Sequence, residues 1–232
     1  MSRASKAREE EALQHASVLQ NSGESLEARL AASDALLCLS RHEHSCASLC
    51  AVGGIHALVA ALKAAPDAAP LVLRAAQALS NLYRFDPKLT SVVLRLQDGL
   101  AALLAAAREH LHSADAELLG ALLAALADVC STAANVAPLV KHGGHAVLLG
   151  ALLAHLKHEP LLLLSLQALV HTSRHAAHVP SLAREGAVPA LLAALLSHLR
   201  RAEVLRLALL VLRNLVADEA CALRMAGQGA YR

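Results

Sequence analysis

Aromatic residues are almost missing from this 232-residue chain: they make up 1% of it, as Tyr83, Phe85 and Tyr231, and there is no tryptophan. Strands favour aromatic and β-branched side chains, so an interior of Leu and Ala with so few rings argues for closely packed helices. Nor do rings alternate with basic residues, as a binder of single-stranded nucleic acid needs. Excess charge is missing too. The formal net charge is +2, which implies neither a nucleic-acid groove nor an acidic partner. Cys38, Cys46, Cys50, Cys130 and Cys221 form no CxxC pair and no even framework. That pattern fits reduced thiols and a cytoplasmic or nuclear protein.

Long apolar runs are absent despite a mean hydropathy of +0.46. The longest uncharged apolar stretches, residues 160–173 and 187–199, fall short of the roughly 18 residues that cross a bilayer. The opening MSRASKAREEEALQ has no apolar signal core, and Glu9-Glu10-Glu11 argues against a transit peptide. No membrane contact is expected. There is no Gly-rich phosphate loop, no GxSxG, no HExxH and no pair of carboxylates facing a pocket. The expectation is a protein that is not an enzyme, with no catalytic residues and no cofactor.

What the chain does have is a recurring unit. Arg213-Asn214-Leu215 ends an apolar helix, and a short segment after it is closed by Gly227. Forty-three residues earlier stands Ala168-Leu169-Val170-His171, followed by Gly186. Steps of 43, 47 and 43 then reach Ala125-Leu126-Ala127-Asp128, Ala78-Leu79-Ser80-Asn81 and Ala35-Leu36-Leu37-Cys38. A period in the low forties predicts a helical solenoid, in which each unit buries its apolar face against its neighbours.

Helical spacing of apolar residues and the Gly, Pro and Asp breaks give long, short and medium helices in turn. The predicted spans are 24–41, 42–52 and 55–63; 70–83, 86–97 and 100–111; 116–130, 135–142 and 145–157; 161–173, 176–184 and 187–199; then 203–216 and 219–226. Residues 1–23 read as an N-terminal capping helix and 24–232 as the solenoid, its last unit incomplete. Without a following unit, the face of Leu207, Leu210, Val211 and Leu215 is expected to be only partly covered. This predicts either a fragment of a longer protein or end-to-end self-association.

The residues also resemble the armadillo repeat. Leu49-Cys50-Ala51-Val52-Gly53-Gly54-Ile55-His56-Ala57-Leu58-Val59 and Glu185-Gly186-Ala187-Val188-Pro189-Ala190-Leu191-Leu192 are similar to its I-V-x-x-G-G-I-P-x-L-V segment. Ala75-Ala76-Gln77-Ala78-Leu79-Ser80-Asn81-Leu82 is similar to its A-x-x-A-L-x-N-L helix. The resemblance covers about residues 25–230 and implies an all-α, right-handed solenoid of about five three-helix repeats, with the long helices lining a concave face. It also implies a scaffold that binds a segment of another protein, as an extended peptide or a helix.

By the same resemblance, the asparagine of A-L-x-N-L points into the groove, where an amide can match a peptide unit. That column is Cys38, Asn81, Asp128, His171 and Asn214. The groove tryptophan four residues earlier is replaced by Asp34, Gln77, Ala124, Gln167 and Leu210. The ladder that grips nuclear-localisation peptides is therefore not expected. Three residues after the column lie Arg41, Arg84, Ser131, Arg174 and Ala217. Those arginines either take carboxylates in forked pairs or neutralise the C-terminal ends of their own helices. Partner-binding candidates are Asp34, Gln77, Asn81, Arg84, Asp128, Gln167, His171, Arg174 and Asn214, as ligand contacts or as solvated polar surface. The other readings are an assembly subunit joined through its C-terminal unit, and a metal protein using His42, His44, Cys46 and Cys50. Cys50 falls on a buried apolar position of the resembled repeat, where a free thiol packs as a small hydrophobe, so no metal is expected. His110, His112, His155, His158 and His198 read as solvent-facing or helix-capping residues.

Overall fold

The structure is a computed structural model that describes residues 3–21, 23–219 and 221–223. The chain opens with α1 (Arg3–Gln20). Unit one is α2 (Leu26–Ser40), α3 (Glu43–Ala51) and α4 (Gly54–Ala64); unit two is α5 (Ala69–Phe85), α6 (Pro87–Leu96) and α7 (Gly99–Glu109). Unit three is α8 (Ala116–Cys130), α9 (Ala133–Lys141) and α10 (Gly144–Ala154). Unit four is α11 (Glu159–Ser173), a 3₁₀ turn (Ala176–His178), α12 (Val179–Arg184) and α13 (Ala187–Ser197); unit five begins with α14 (Ala202–Val216). The short helix expected over 219–226 lies partly outside the described residues; 219 and 221–223 of it are helical.

The long helices α2, α5, α8, α11 and α14 pack side by side in chain order, and the medium helices α4, α7, α10 and α13 form a second row. α1 lies against α2, α3 and α4. One continuous core of Leu and Ala runs through all units, with Ala75, Ala76, Ala78, Ala125 and Ala168 letting neighbouring helices close on one another.

The sharp corner between short and medium helices has a backbone cause. Gly53, Gly143 and Gly186 take φ of 79°, 76° and 88° there, and in unit two Asp98 takes φ 52° instead of Gly99. Gly99 is needed for a different reason: a Cβ on it would stand 2.6 Å from Leu94 Cδ2.

Two expectations shift. The helix predicted over 176–184 is broken into a 3₁₀ turn and α12, because Pro180 has no N–H to bond the Ala176 carbonyl. The medium helices predicted to reach 111, 157 and 199 stop at Glu109, Ala154 and Ser197. His110, His155 and His198 follow as C-caps, and their rings bond the preceding unit: Nε2 of each meets the carbonyl of Pro66 at 2.9 Å, Leu111 at 2.8 Å and Leu156 at 2.5 Å. These histidines are inter-unit stitches rather than solvated caps. His158 instead caps α11, accepting from Leu161 N at 3.4 Å.

The end face also differs from expectation. Leu207, Val211 and Leu215 are buried, because that stripe of α14 packs inward. Leu210 is half-buried, and the exposed residues are Leu209 and Val216, a third of a turn away and flanked by half-buried Leu205 and Leu212.

Candidate functional site

Three residues of the groove column, Asn81, Asp128 and Asn214, bond backward to the unit before them. Asn81 Nδ2 donates to Ser40 Oγ at 3.0 Å, and Asn214 Nδ2 donates to Ser173 Oγ at 3.0 Å. Both serines donate in turn to their own helices, to Leu37 O at 2.8 Å and Val170 O at 3.1 Å. Asp128 accepts from Ser80 Oγ in a short hydrogen bond and pairs with Arg84 Nε at 3.2 Å. Arg84 is thus committed to the next unit, so the expected arginine row is not free as a whole. Asp34 is likewise bound to Arg74 of unit two. His171 is half-buried; burial holds its pKa below the usual histidine value, Arg174 adds to this, and Asp128 opposes it.

Arg41 and Arg174 enter no ion pair among the described residues. Each is the C-cap of its long helix, so neutralising the helix end and receiving a ligand carboxylate are both within their reach.

These arginines stand at the mouths of two notches. The first, of about 440 Å³, is lined by Ser40, Arg41, Glu43, Cys46, Asn81, Arg84 and Phe85. The second, of about 170 Å³, is lined by Ser173, Arg174, Ala176, Val179, Asn214, Ala217 and Asp218. Every residue of the first has its counterpart 133 positions later in the second. They are the same inter-unit site, three repeats apart. Common to both are the Ser–Asn floor and the rim arginine; they differ at Glu43 and Ala176, Cys46 and Val179, Arg84 and Ala217, and Phe85 and Asp218. A small serine at this position leaves the notch open. In unit two the larger Tyr83 and in unit three Cys130 take the position, and all four side chains are buried.

At the same junction as the second notch, Gln167, His171 and Arg174 line another recess of about 260 Å³ with Arg206, Leu207 and Leu210. The structure therefore brings together Asn81 with Arg84, Arg84 with Asp128, the trio at 167, 171 and 174, and Arg174 with Asn214. Asp34 stands apart, and Gln77 is half-buried on α5. Sequence reasoning missed Ser40, Ser173 and Phe85. Its available signal was the serine pair at one position of the period.

At the histidine and cysteine cluster, the Cys46 thiol donates to Ser40 O at 3.1 Å. Burial pushes the Cys46 thiol up, and with Cys46 and Asp86 nearby it pushes Cys50 to about 11. Among the described residues no three His, Cys, Asp or Glu side chains are placed to hold a metal ion, and no single helix is long and apolar enough to cross a membrane.

Solved structures share this arrangement. A designed armadillo repeat protein superposes with a TM-score of 0.70 over 88% of this chain and 81% of its own, at 20% identity. The chain has the armadillo-repeat fold. A second designed armadillo repeat protein, solved in complex with the peptide (KR)4, matches with a TM-score of 0.68 over 91% of both chains at 20% identity. A structure from work on a phosphorylation switch controlling the interaction between cadherin and beta-catenin matches with a TM-score of 0.72 at 21% identity, over 87% of this chain and 36% of its own. No family model matches the chain, and no curated protein matches its sequence. The armadillo likeness is one of fold, carried by the helix order and the period.

Proposed function

We propose that this armadillo solenoid is a protein-interaction scaffold of the cytoplasm or nucleus, holding an extended segment of a partner along the concave face of its long helices. The observation that carries the proposal is the pair of equivalent notches. Each offers a hydrogen-bonded Ser–Asn floor and an arginine with no internal carboxylate, a fitting receptor for an acidic side chain. Adjacent helices pack about 8–10 Å apart, so three steps separate the notches by roughly 24–30 Å. An extended chain covers that in about eight or nine residues at ~3.3 Å each. Known armadillo structures support a protein ligand, since one of them holds a peptide. The test is fluorescence anisotropy with a Ser/Thr-rich probe peptide carrying two glutamates about nine residues apart. Arg41→Glu and Arg174→Glu should each weaken binding about tenfold, and a lysine version should not bind. Equal binding by the double variant would end the proposal.

A second reading has its own observation. Leu209 is 54% exposed, yet its counterparts Leu166, Leu123 and Ala76 are fully buried. Val216 is likewise open where Ser173, Cys130 and Tyr83 are covered. In every earlier junction the next long helix covers this stripe, so a second copy of the chain presenting its own α14 fits it. Mass in solution should then rise with concentration, and Leu209→Glu with Val216→Glu should hold the protein monomeric. A monomer at all concentrations would remove this reading.

A further inference from the structure

A second exposed apolar surface has no explanation in the repeat. Leu89, Val92 and Leu96 lie on one face of α6 at helical spacing, 40%, 43% and 75% exposed. Counted back from the left-handed corner residue, their counterparts are His44, Ala47 and Ala51 in unit one and Ala134, Ala137 and Lys141 in unit three. In unit four they are Ala177, Pro180 and Arg184. All of these face outward and are small, polar or charged. Solenoid packing therefore asks nothing of the three positions, and only unit two fills them with large apolar side chains.

The charged side chains on α6 and α9 themselves are all basic; Asp86 is engaged in capping α6 at Leu89 N, and Asp98, just past its end, pairs with Lys63. Lys88 and Arg95 precede Leu89 and Leu96 by one residue each and share a flank of α6. That flank faces α9, because Arg95 Nη1 donates to Asn135 Oδ1 at 2.9 Å. α9 carries Lys141, and neither α6 nor α9 contains an acidic residue. Beside the ridge of α6, Ala133, Ala134 and Ala137 form a low, exposed apolar floor on α9.

We propose that α6 and α9 form a docking surface for an amphipathic helix of a partner protein, seated by a Leu- or Ile-type stripe against Leu89, Val92 and Leu96. Its flanking acidic side chains meet Lys88, Arg95 and Lys141. The surface lies outside both notches and does not rest on the groove reading. A protein helix is favoured over a lipid surface because the stripe has only three side chains and lacks aromatic anchors.

The test is a phage-displayed library of randomised amphipathic helices, selected on the wild-type chain and counter-selected on Val92→Ser/Leu96→Ser. Because these side chains are exposed, the variant should melt at the wild-type temperature. Enriched clones should share an apolar stripe with Asp or Glu flanks, lose about tenfold in affinity on the counter-selection variant and weaken on Lys88→Glu. Clones with basic flanks, clones that bind the variant equally well, or no enrichment at all would overturn the proposal. So would sedimentation of the wild-type chain, but not the variant, with phosphatidylserine vesicles, which would assign the stripe to a membrane.

Discussion

At one position of the period, the junction between units one and two has Ser40 and the junction between units two and three has Tyr83. Ser40 leaves a notch floored by its bond with Asn81. Tyr83 fills the same place and starts a buried network. Its hydroxyl donates to Thr132 Oγ1 at 2.5 Å and accepts from Ser91 Oγ at 3.2 Å. Asn135, fully buried, donates to Ser91 Oγ at 3.0 Å and to Val129 O at 3.0 Å. The helix ends differ as well, since α2 stops at Ser40 whereas α5 runs on past Tyr83 to Phe85. At the first junction a notch is left beside this position, and at the second the tyrosine ties its polar neighbours into the interior. Closed junctions join the units, whereas open ones are available to a ligand.

Tyr83→Ser breaks the contrast most severely. It should open a third notch and leave Ser91 and Thr132 short of a partner, lowering stability by about 3 kcal/mol in urea unfolding. A loss below about 1 kcal/mol would mean that the network does not hold the junction.

The junction between units three and four supplies the next test. His145 stands where Ile55, Leu100 and Val188 stand in the other units, and it is 2% exposed with neither ring nitrogen bonded. Burial, with His178 nearby, lowers its pKa from 6.5 to about 4; His178 is itself lowered by burial and by His175. The folded pKa lies below the unfolded one, so this residue has no effect above pH 6.5. As pH falls from 6.5 to 4 the unfolded chain takes up the proton first, and stability drops by up to about 3 kcal/mol. His145→Leu should flatten that part of the pH–stability curve. An unchanged slope would show that other groups cause it.

Ser40→Ala sharpens the open side of the comparison. It removes the acceptor of Asn81 and should cost about 1 kcal/mol or less, since water reaches the notch. The corresponding Ser173→Ala should behave alike, and a large cost at either would mark that notch as closed. Smallest is His155→Ala, which cuts one stitch to Leu111 O on the medium-helix row and should cost roughly 0.5 kcal/mol in thermal unfolding.

Local rules made the helices legible. The spacing of Leu and Ala, the Gly and Pro breaks and the period of 43 to 47 suffice for element order and stacking. They did not reveal which polar residues were already bonded. Asp34 and Asp128 look identical to a free acidic groove residue in sequence, and their arginines, Arg74 and Arg84, lie 40 and 44 positions away. The C-cap histidines were misread for the same reason, their acceptor carbonyls being one repeat back. Inter-unit pairing depends on side-chain reach between stacked helices, and a linear pattern records the stack without the reach.

The most direct measurement is an NMR titration of the chain with the two-glutamate probe peptide, following the side-chain amide signals of Asn81 and Asn214. Both should shift together along one binding curve, while Asn135, sealed behind Tyr83, stays still. Shifts confined to one notch, or none at either, would contradict a groove that holds one ligand at two equivalent sites.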